Sequence, residues 1–201
     1  MTTIKHALQQ ATARLKTTSS TPRIDAETLL LHTLKNTRAF LYAHDTDVLN
    51  PGVLATFEAL IAKRSLGMPI AYLTQSKEFW SLALRVTPAT LIPRPETELL
   101  VECTLALLAE QQQATILELG TGSGAIAIAL AASRPDWHIT ACDISDDALN
   151  IATHNGSQCK LNNITWIHSN WFQSIPTQSF DAIISNPPYL ADNDPHLSQE
   201  D

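Results

Sequence analysis

No run of apolar residues in this 201-residue chain is longer than eight, Ala125 to Ala132. A bilayer-spanning helix needs about 20, so no membrane helix is predicted. The start, Met1-Thr2-Thr3-Ile4-Lys5-His6, has no charged stretch followed by a greasy one, which argues against a secretory signal. Cysteine is scarce: Cys103, Cys142 and Cys159 form no CxxC pair and are odd in number, as suits reduced thiols in a cytoplasmic protein. The seven histidines show no metal-ligand spacing, so they read as surface or packing residues and no metal is expected. Basic residues nearly vanish from the second half. Residues 101–201 hold 2 Lys+Arg against 12 Asp+Glu, whereas residues 1–100 hold 11 against 8, for a formal net charge of −7. Proteins that grip nucleic acid concentrate Lys and Arg where they touch phosphate, so the second half is ill suited to it and no direct nucleic-acid binding is expected. The mildly basic first half suits docking to an acidic partner. What the chain does have is a 44% apolar content with 16% charged residues, enough for a packed core. Its length allows one domain, or one with a small extra module.

The first 70 residues read as short helices. Ile4, Ala7, Leu8, Ala11 and Leu15 recur at helical spacing. Thr21 is expected to cap a second helix with Pro22 as its first residue, Asp25 and Glu27 near the positive start, and Leu29, Leu30, Leu31 and Leu34 on the buried side. Asn50 and Pro51 open another, with Val53, Leu54, Phe57, Leu60 and Ile61 as its stripe and Lys63, Arg64 and Gly67 at its end. Residues 78–87 alternate and carry β-formers, predicting a hairpin. A helix follows from about Pro95 to Leu108, with Leu99, Leu100, Cys103 and Leu107 expected inward. From Ala114 onward the pattern alternates strand and helix: strands at 115–119, 138–142, 164–168 and 181–185, helices near 124–133 and 145–159. Crossover helices between strands imply a parallel sheet.

Three motifs carry chemistry. The first, Glu118-Leu119-Gly120-Thr121-Gly122-Ser123-Gly124, follows a strand and opens a helix. Glycines let a backbone turn tightly and approach a ligand closely, and a helix N-terminus offers N–H groups to a carboxylate or phosphate. The second is Asp143, at the end of the next strand and 21 residues after Gly122. There a carboxylate can accept ribose hydroxyls, as in dinucleotide folds; the plain alternative is a cap for the helix starting near Ser145. NAD is the rival ligand. The spacing GxGxG, rather than GxGxxG, and the acidic Glu118 beside it favour S-adenosylmethionine, whose sulfonium and ammonium groups a carboxylate complements. The third motif is Asn186-Pro187-Pro188-Tyr189, directly after the fourth strand. An amide or aromatic-amine nitrogen is a poor nucleophile because its lone pair is delocalised. The Asn186 side-chain oxygen and the Pro187 carbonyl can accept both hydrogens of such an NH2 group, while Tyr189 offers an aromatic face. Pro187 and Pro188 stiffen the loop. Positioning and electrostatics then supply the rate, with no general base needed at the outset.

Together these residues resemble the class I S-adenosylmethionine-dependent methyltransferases, and more closely the bacterial peptide chain release factor glutamine methyltransferases, the HemK/PrmC family. The resemblance extends to Arg23-Ile24-Asp25-Ala26-Glu27, Gly67-Met68-Pro69-Ile70-Ala71-Tyr72-Leu73, Glu78-Phe79-Trp80 and Leu91-Ile92-Pro93-Arg94-Pro95-Glu96-Thr97-Glu98. It implies an α/β fold: an N-terminal helical bundle for substrate docking over 1–75, a β-hairpin linker over 76–94 and the first part of a Rossmann-like methyltransferase sheet over 95–201. It implies methyl transfer from S-adenosylmethionine, leaving S-adenosylhomocysteine, to the glutamine amide of the Gly-Gly-Gln tripeptide in release factors, the proteins of translation termination. Carried onto this sequence, Glu118, Gly120, Thr121, Gly122, Ser123, Gly124 and Asp143 would bind the cofactor, with Asn170, Trp171 and Asn186. Asn186, Pro187, Pro188 and Tyr189 would hold the glutamine. Asn170 stands where the family usually has an acid, which weakens that one contact. Cys142 reads as core. Arg94 and Glu98 border the motif, but acids after Pro95 at a helix start have a structural reason of their own.

Other readings compete: a ribosomal-protein glutamine methyltransferase, a nucleic-acid adenine amino methyltransferase, and a non-catalytic fragment that binds S-adenosylmethionine. The acidic second half weighs against the nucleic-acid reading. The resemblance also implies seven strands where four are expected here, and 12 residues follow Tyr189. The remainder would take roughly another 70–90 residues, so a truncated chain with an open-edged fourth strand is expected, and a monomer when complete.

Overall fold

The computed structural model describes residues 1–187; Pro188 and Tyr189 lie outside the described residues. Met1–Thr74 form one compact unit, and the described residues from Gln75 onward form a second.

The first unit is helical. In α1 (Ile4–Leu15) the Thr3 hydroxyl caps the start by accepting from His6 N, and the five stripe residues are all buried. Helix α2 (Pro22–Leu34) buries Ala26, Leu29 and Leu30 completely, with Leu31 and Leu34 half-buried. Thr21 holds the N-cap position with Pro22 as the first residue, as expected, but its side chain accepts no helix N–H. Its hydroxyl and that of Ser19 instead donate to Asp25 at 3.1 and 2.7 Å. Asp25 is turned inward because the last residue of α4 (Pro51–Arg64) is buried too, and Arg64 Nε donates to Asp25 Oδ2 at 2.8 Å. A buried guanidinium needs a buried partner. Glu27 is likewise buried, accepting from Arg23 Nε at 2.5 Å and from Arg38 Nε at 3.0 Å. These two cations outweigh burial and hold its carboxyl below the ordinary value. Asn50 caps α4 as expected, accepting from Gly52 N at 2.9 Å. Short helices α3 (Arg38–Ala43) and α5 (Ile70–Thr74) complete the unit.

The second unit begins with an antiparallel hairpin, β1 (Lys77–Phe79) and β2 (Leu82–Leu84), shorter than the predicted span. Its two-residue turn, Trp80-Ser81, has φ of 54° and 59°, the handedness that matches strand twist but that side chains resist. The turn is tied down. Trp80 N donates to Glu98 Oε1 at 2.8 Å and its indole Nε1 donates to Ser133 Oγ at 2.9 Å. A 3₁₀ turn (Pro95–Thr97) leads into α6 (Glu98–Leu107). Here three of the four residues expected inward are corrected, while Leu100 is partly buried against the core as expected. Leu99 and Leu107 are 60% and 83% exposed and Cys103 is exposed, while Val101, Thr104 and Leu108 are buried. The helix is apolar around most of its circumference, so no stripe in the sequence marks the face that packs.

The sheet follows: β3 (Thr115–Leu119), β4 (His138–Asp143), β5 (Ile164–His168) and β6 (Ala182–Ser185), all parallel in the order β5-β4-β3-β6. Helices α7 (Ala125–Ser133) and α8 (Asp146–Gln158) are the crossovers. Helix α7 has no polar face, and each residue from Ala125 to Ala131 is buried. The chain runs from β3 outward to β5 and returns to the other side of β3 as β6. Such a reversal opens a crevice at the strands' C-terminal ends. The register sets Leu119 of β3 beside Cys142 of β4 and Ser185 of β6. Among the described residues β6 is an edge, with Ile183 56% exposed. No helix of the described residues is long and apolar enough to cross a membrane.

Candidate active site

At the end of β3 the backbone turns through Gly120, Gly122 and Gly124, at φ of 75°, 55° and 81°. The three glycines do different jobs. A Cβ added at Gly120 or Gly122 would meet nothing within 4 Å, so both present bare backbone to open space. A Cβ at Gly124 would lie 3.0 Å from Ile128 Cδ1, 3.1 Å from Ala152 Cβ and 3.1 Å from the Trp166 ring. Gly124 therefore lets α7 pack against α8 and the sheet.

Most of the loop's own N–H groups are engaged within the protein. Gly120 N and Thr121 N both donate to Cys142 O at 2.9 Å, Gly122 N donates to Asp143 Oδ2 at 2.8 Å, and Gly124 N donates to Thr121 O at 2.8 Å. A tight turn lying against the end of β4 satisfies its donors there. The turn is thus preset. Two buried polar residues hold it from behind. Glu118 Oε2 accepts from Thr121 Oγ1 at 2.7 Å and from Ala127 N at 3.0 Å. Burial pushes the Glu118 carboxyl up to about 7; the Thr121 and Ala127 bonds oppose the rise and the nearby Asp143 charge adds to it. Asn155 Nδ2 donates to Ser123 O at 2.9 Å, and the same carboxamide bonds Arg85 N and Arg85 O at 2.8 and 2.9 Å. Sequence reasoning missed Asn155; its only signal is a polar residue on the buried side of α8.

Asp143 is not the cap of α8, since Ser145 is, accepting from Ala148 N at 3.2 Å. The Asp143 oxygens accept one N–H each, from Gly122 and from Ser145 at 3.0 Å. Each retains a lone pair for a hydroxyl. Next along the sheet, Ser169 N donates to Asp143 O at 2.9 Å, and the Ser169 hydroxyl donates to Trp171 O at 2.7 Å. This holds Trp171 at φ 51° with its side chain 55% exposed, beside the exposed Asn170. Cys142 Sγ also donates to Trp171 O at 3.8 Å, and burial pushes that thiol's pKa up. It belongs to the core, as expected.

On the other side of β3, Ser185 Oγ donates to Leu119 O at 2.9 Å and fixes the end of β6. Asn186 follows, and its Nδ2 donates to Thr97 Oγ1 at 3.3 Å. One cavity brings the motifs together: Glu118, Gly120, Thr121, Gly122, Ser123 and Asn186 line it. Thr97, Arg94 and Pro93 line it as well; among these, sequence reasoning did not single out Thr97. Asp143 and the Asn170-Trp171 pair stand at the neighbouring strand ends and are not part of that lining. Bare backbone at Gly120 and Gly122, an acid with spare lone pairs at the end of β4, and an adjacent exposed aromatic fit the methionyl, ribose and adenine parts of S-adenosylmethionine. Among the described residues no group of three His, Cys, Asp or Glu is placed to hold a metal ion.

Residues 95–199 match the family described as methyltransferase small domain, and residues 6–74 match the PrmC N-terminal domain. The chain is 47% identical over 199 residues to the release factor glutamine methyltransferase of Coxiella burnetii, covering 99% of this chain and 72% of that protein. It is 47% identical over 197 residues to the protein of the same name from Escherichia coli K12, covering 98% and 70%. Among solved structures it is similar to a ribosomal protein L11 methylase from Lactobacillus delbrueckii, at 25% identity, TM-score 0.43 and 52% of each chain.

Proposed function

The chain belongs to the release factor glutamine methyltransferase family, and from that premise we propose that it methylates the side-chain amide of the glutamine in the Gly-Gly-Gln tripeptide of release factors, with S-adenosylmethionine as donor. The observation that carries this reading is the meeting of Asn186 with the Gly120–Ser123 turn on one cavity. When bound, S-adenosylmethionine supplies a methyl group on a positively charged sulfur. The residues of this chain bind and orient. Gly120 and Gly122 leave room for the donor, Asp143 accepts its ribose hydroxyls, and Trp171 flanks its adenine. The Asn186 carbonyl oxygen and the Pro187 carbonyl accept the two hydrogens of the glutamine NH2. That pairing draws lone-pair density back onto nitrogen and holds it in position, while Pro188 and Tyr189 complete the grip. Charge favours a protein substrate, because residues 101–201 carry 2 basic against 12 acidic residues and nucleic-acid grips need the reverse. The exposed bases of the first unit are the docking surface for the release factor.

The test incubates the protein with methyl-labelled S-adenosylmethionine and, separately, release factor, ribosomal subunits and DNA. Label is expected on the release factor glutamine; label in nucleic acid alone would overturn the reading. Asn186→Ala is expected to slow transfer at least ~100-fold while weakening S-adenosylmethionine binding by much less than that.

A further inference from the structure

The glycine turn gives its own N–H groups to the end of β4, yet one of its carbonyls is held from another direction. Helix α8 carries Ala152, Asn155 and Gly156 at helical spacing, and a Cβ at Gly124 would lie 3.1 Å from Ala152 Cβ. Asn155 is 2% exposed. Its carboxamide is fully used. The Oδ1 atom accepts from Arg85 N at 2.8 Å, and Nδ2 donates to Arg85 O and Ser123 O, each at 2.9 Å. These partners settle which end is which. A backbone N–H only donates and a backbone carbonyl only accepts, so a half-turn of the carboxamide would set NH2 against N–H and oxygen against two carbonyls. Asn155 takes both backbone groups of Arg85, as a neighbouring strand would, and gives its remaining hydrogen to the turn. Arg85 directly follows β2 and stands 70 positions from Asn155, while Ser123 lines the cavity. One side chain therefore ties the segment after the hairpin to the cavity wall.

We propose that Asn155 is a positioning residue for the donor: through Ser123 it holds the glycine turn in its binding shape, and through Arg85 it makes that shape depend on the segment after the hairpin. This rests on the S-adenosylmethionine reading above and deepens it, since Asn155 is outside the cavity lining and acts only through the turn. Three backbone groups share one carboxamide, and each is costly to leave unpaired inside the protein. Linkage makes the coupling reciprocal. If breaking the bridge weakens donor binding, bound donor must strengthen the bridge by the same factor.

The experiment compares Asn155→Asp and Asn163→Asp with the parent protein in S-adenosylmethionine Kd, and follows amide hydrogen exchange at Arg85 with and without S-adenosylmethionine. Asn155→Asp keeps the shape and an acceptor for Arg85 N but loses the N–H groups. Asn163 is the matched control: its Nδ2 donates to Ala131 O, Arg134 O and Trp137 O at 3.2, 3.3 and 3.0 Å, and none of the three lines the cavity. Asn155→Asp is expected to weaken S-adenosylmethionine binding about tenfold, and Asn163→Asp to stay within about twofold of the parent. In the parent, saturating S-adenosylmethionine is expected to slow exchange at Arg85 N about tenfold more than at Phe79 and Leu82, which pair across the hairpin. That excess is expected to vanish in Asn155→Asp. Parental Kd in Asn155→Asp, or equal weakening in Asn163→Asp, overturns the proposal. If Asn155→Asp does not fold, the parent decides alone, and no excess protection at Arg85 overturns it. A parent that binds no S-adenosylmethionine removes the donor reading, and the proposal with it.

Discussion

Glu118 is 2% exposed beneath the glycine turn, and burial lifts its carboxyl from 4.5 to about 7. Between those two values the folded protein holds a proton that the unfolded chain has released. Stability is therefore full below pH 4.5 and falls as pH rises through 7, by about 3 kcal/mol for a shift of this size. Glu118→Gln keeps an acceptor for Thr121 Oγ1 and Ala127 N but cannot ionise. Urea unfolding at several pH values between 5 and 8 is expected to show a falling stability in the parent and a nearly flat one in Glu118→Gln; parallel slopes would assign the charge elsewhere. The glycines divide in a similar test. Gly124→Ala puts a methyl 3.0 to 3.1 Å from three packed atoms at a φ of 81°, and is expected to cost about 2–4 kcal/mol. Gly122→Ala meets open space, so its backbone cost is about 1 kcal/mol. On the proposed reading its methyl instead intrudes on the donor molecule, and calorimetry is expected to show S-adenosylmethionine binding weakened at least tenfold. Equal stability losses with equal affinities would erase the distinction.

At the scale of elements, α2 and α4 are joined by Asp25 and Arg64, whose side chains are 8% and 7% exposed. Removing one member of such a pair strands the other charge in the interior, at about 3–5 kcal/mol. Arg64→Ala is expected to destabilise the chain by that much in urea unfolding, and Arg64→Met with Asp25→Leu to recover a large part, since neither charge is then left alone. Neither residue's role was legible in the sequence, where both looked like ordinary helix-end charges, because their partnership spans 39 positions. The same holds for Asn155 with Arg85 and Ser123, and for Thr97 with Asn186. Spacing reports neighbours along an element and is silent about contacts made only after elements pack. What was legible had a local cause. The α1 stripe repeats at helical period, and β3 to β5 are short apolar or β-rich runs bounded by turns, so their ends fall within a residue of expectation. In helix α6 three of the four residues expected inward were misread, because apolar residues around most of its circumference leave no stripe to mark the buried face. The candidate site was readable as motifs, whereas the occupation of the loop's own N–H groups by Cys142 and Asp143 was not.

Across the whole molecule, charge is split: residues 1–100 carry 11 basic against 8 acidic residues, and residues 101–201 carry 2 against 12. The cavity that brings Glu118 and Asn186 together thus belongs to the acidic part of the chain, where like charge repels acidic protein surfaces. Lys5, Arg14, Lys16 and Lys35 are exposed on the helical unit and can offset that repulsion. Arg23 and Arg38 are committed to Glu27. If the helical unit captures the release factor electrostatically, reversing free bases should weaken encounter without touching chemistry. Arg14→Glu with Lys16→Glu is expected to raise KM for the release factor about tenfold, with kcat and S-adenosylmethionine Kd unchanged. Exposed charges are screened over about 8 Å at physiological salt and about 3 Å at 1 M, so the difference between variant and parent should shrink steadily as salt is added. A variant whose KM matches the parent at low salt would move the docking surface away from these bases, and one whose kcat fell instead would place them in the chemical step.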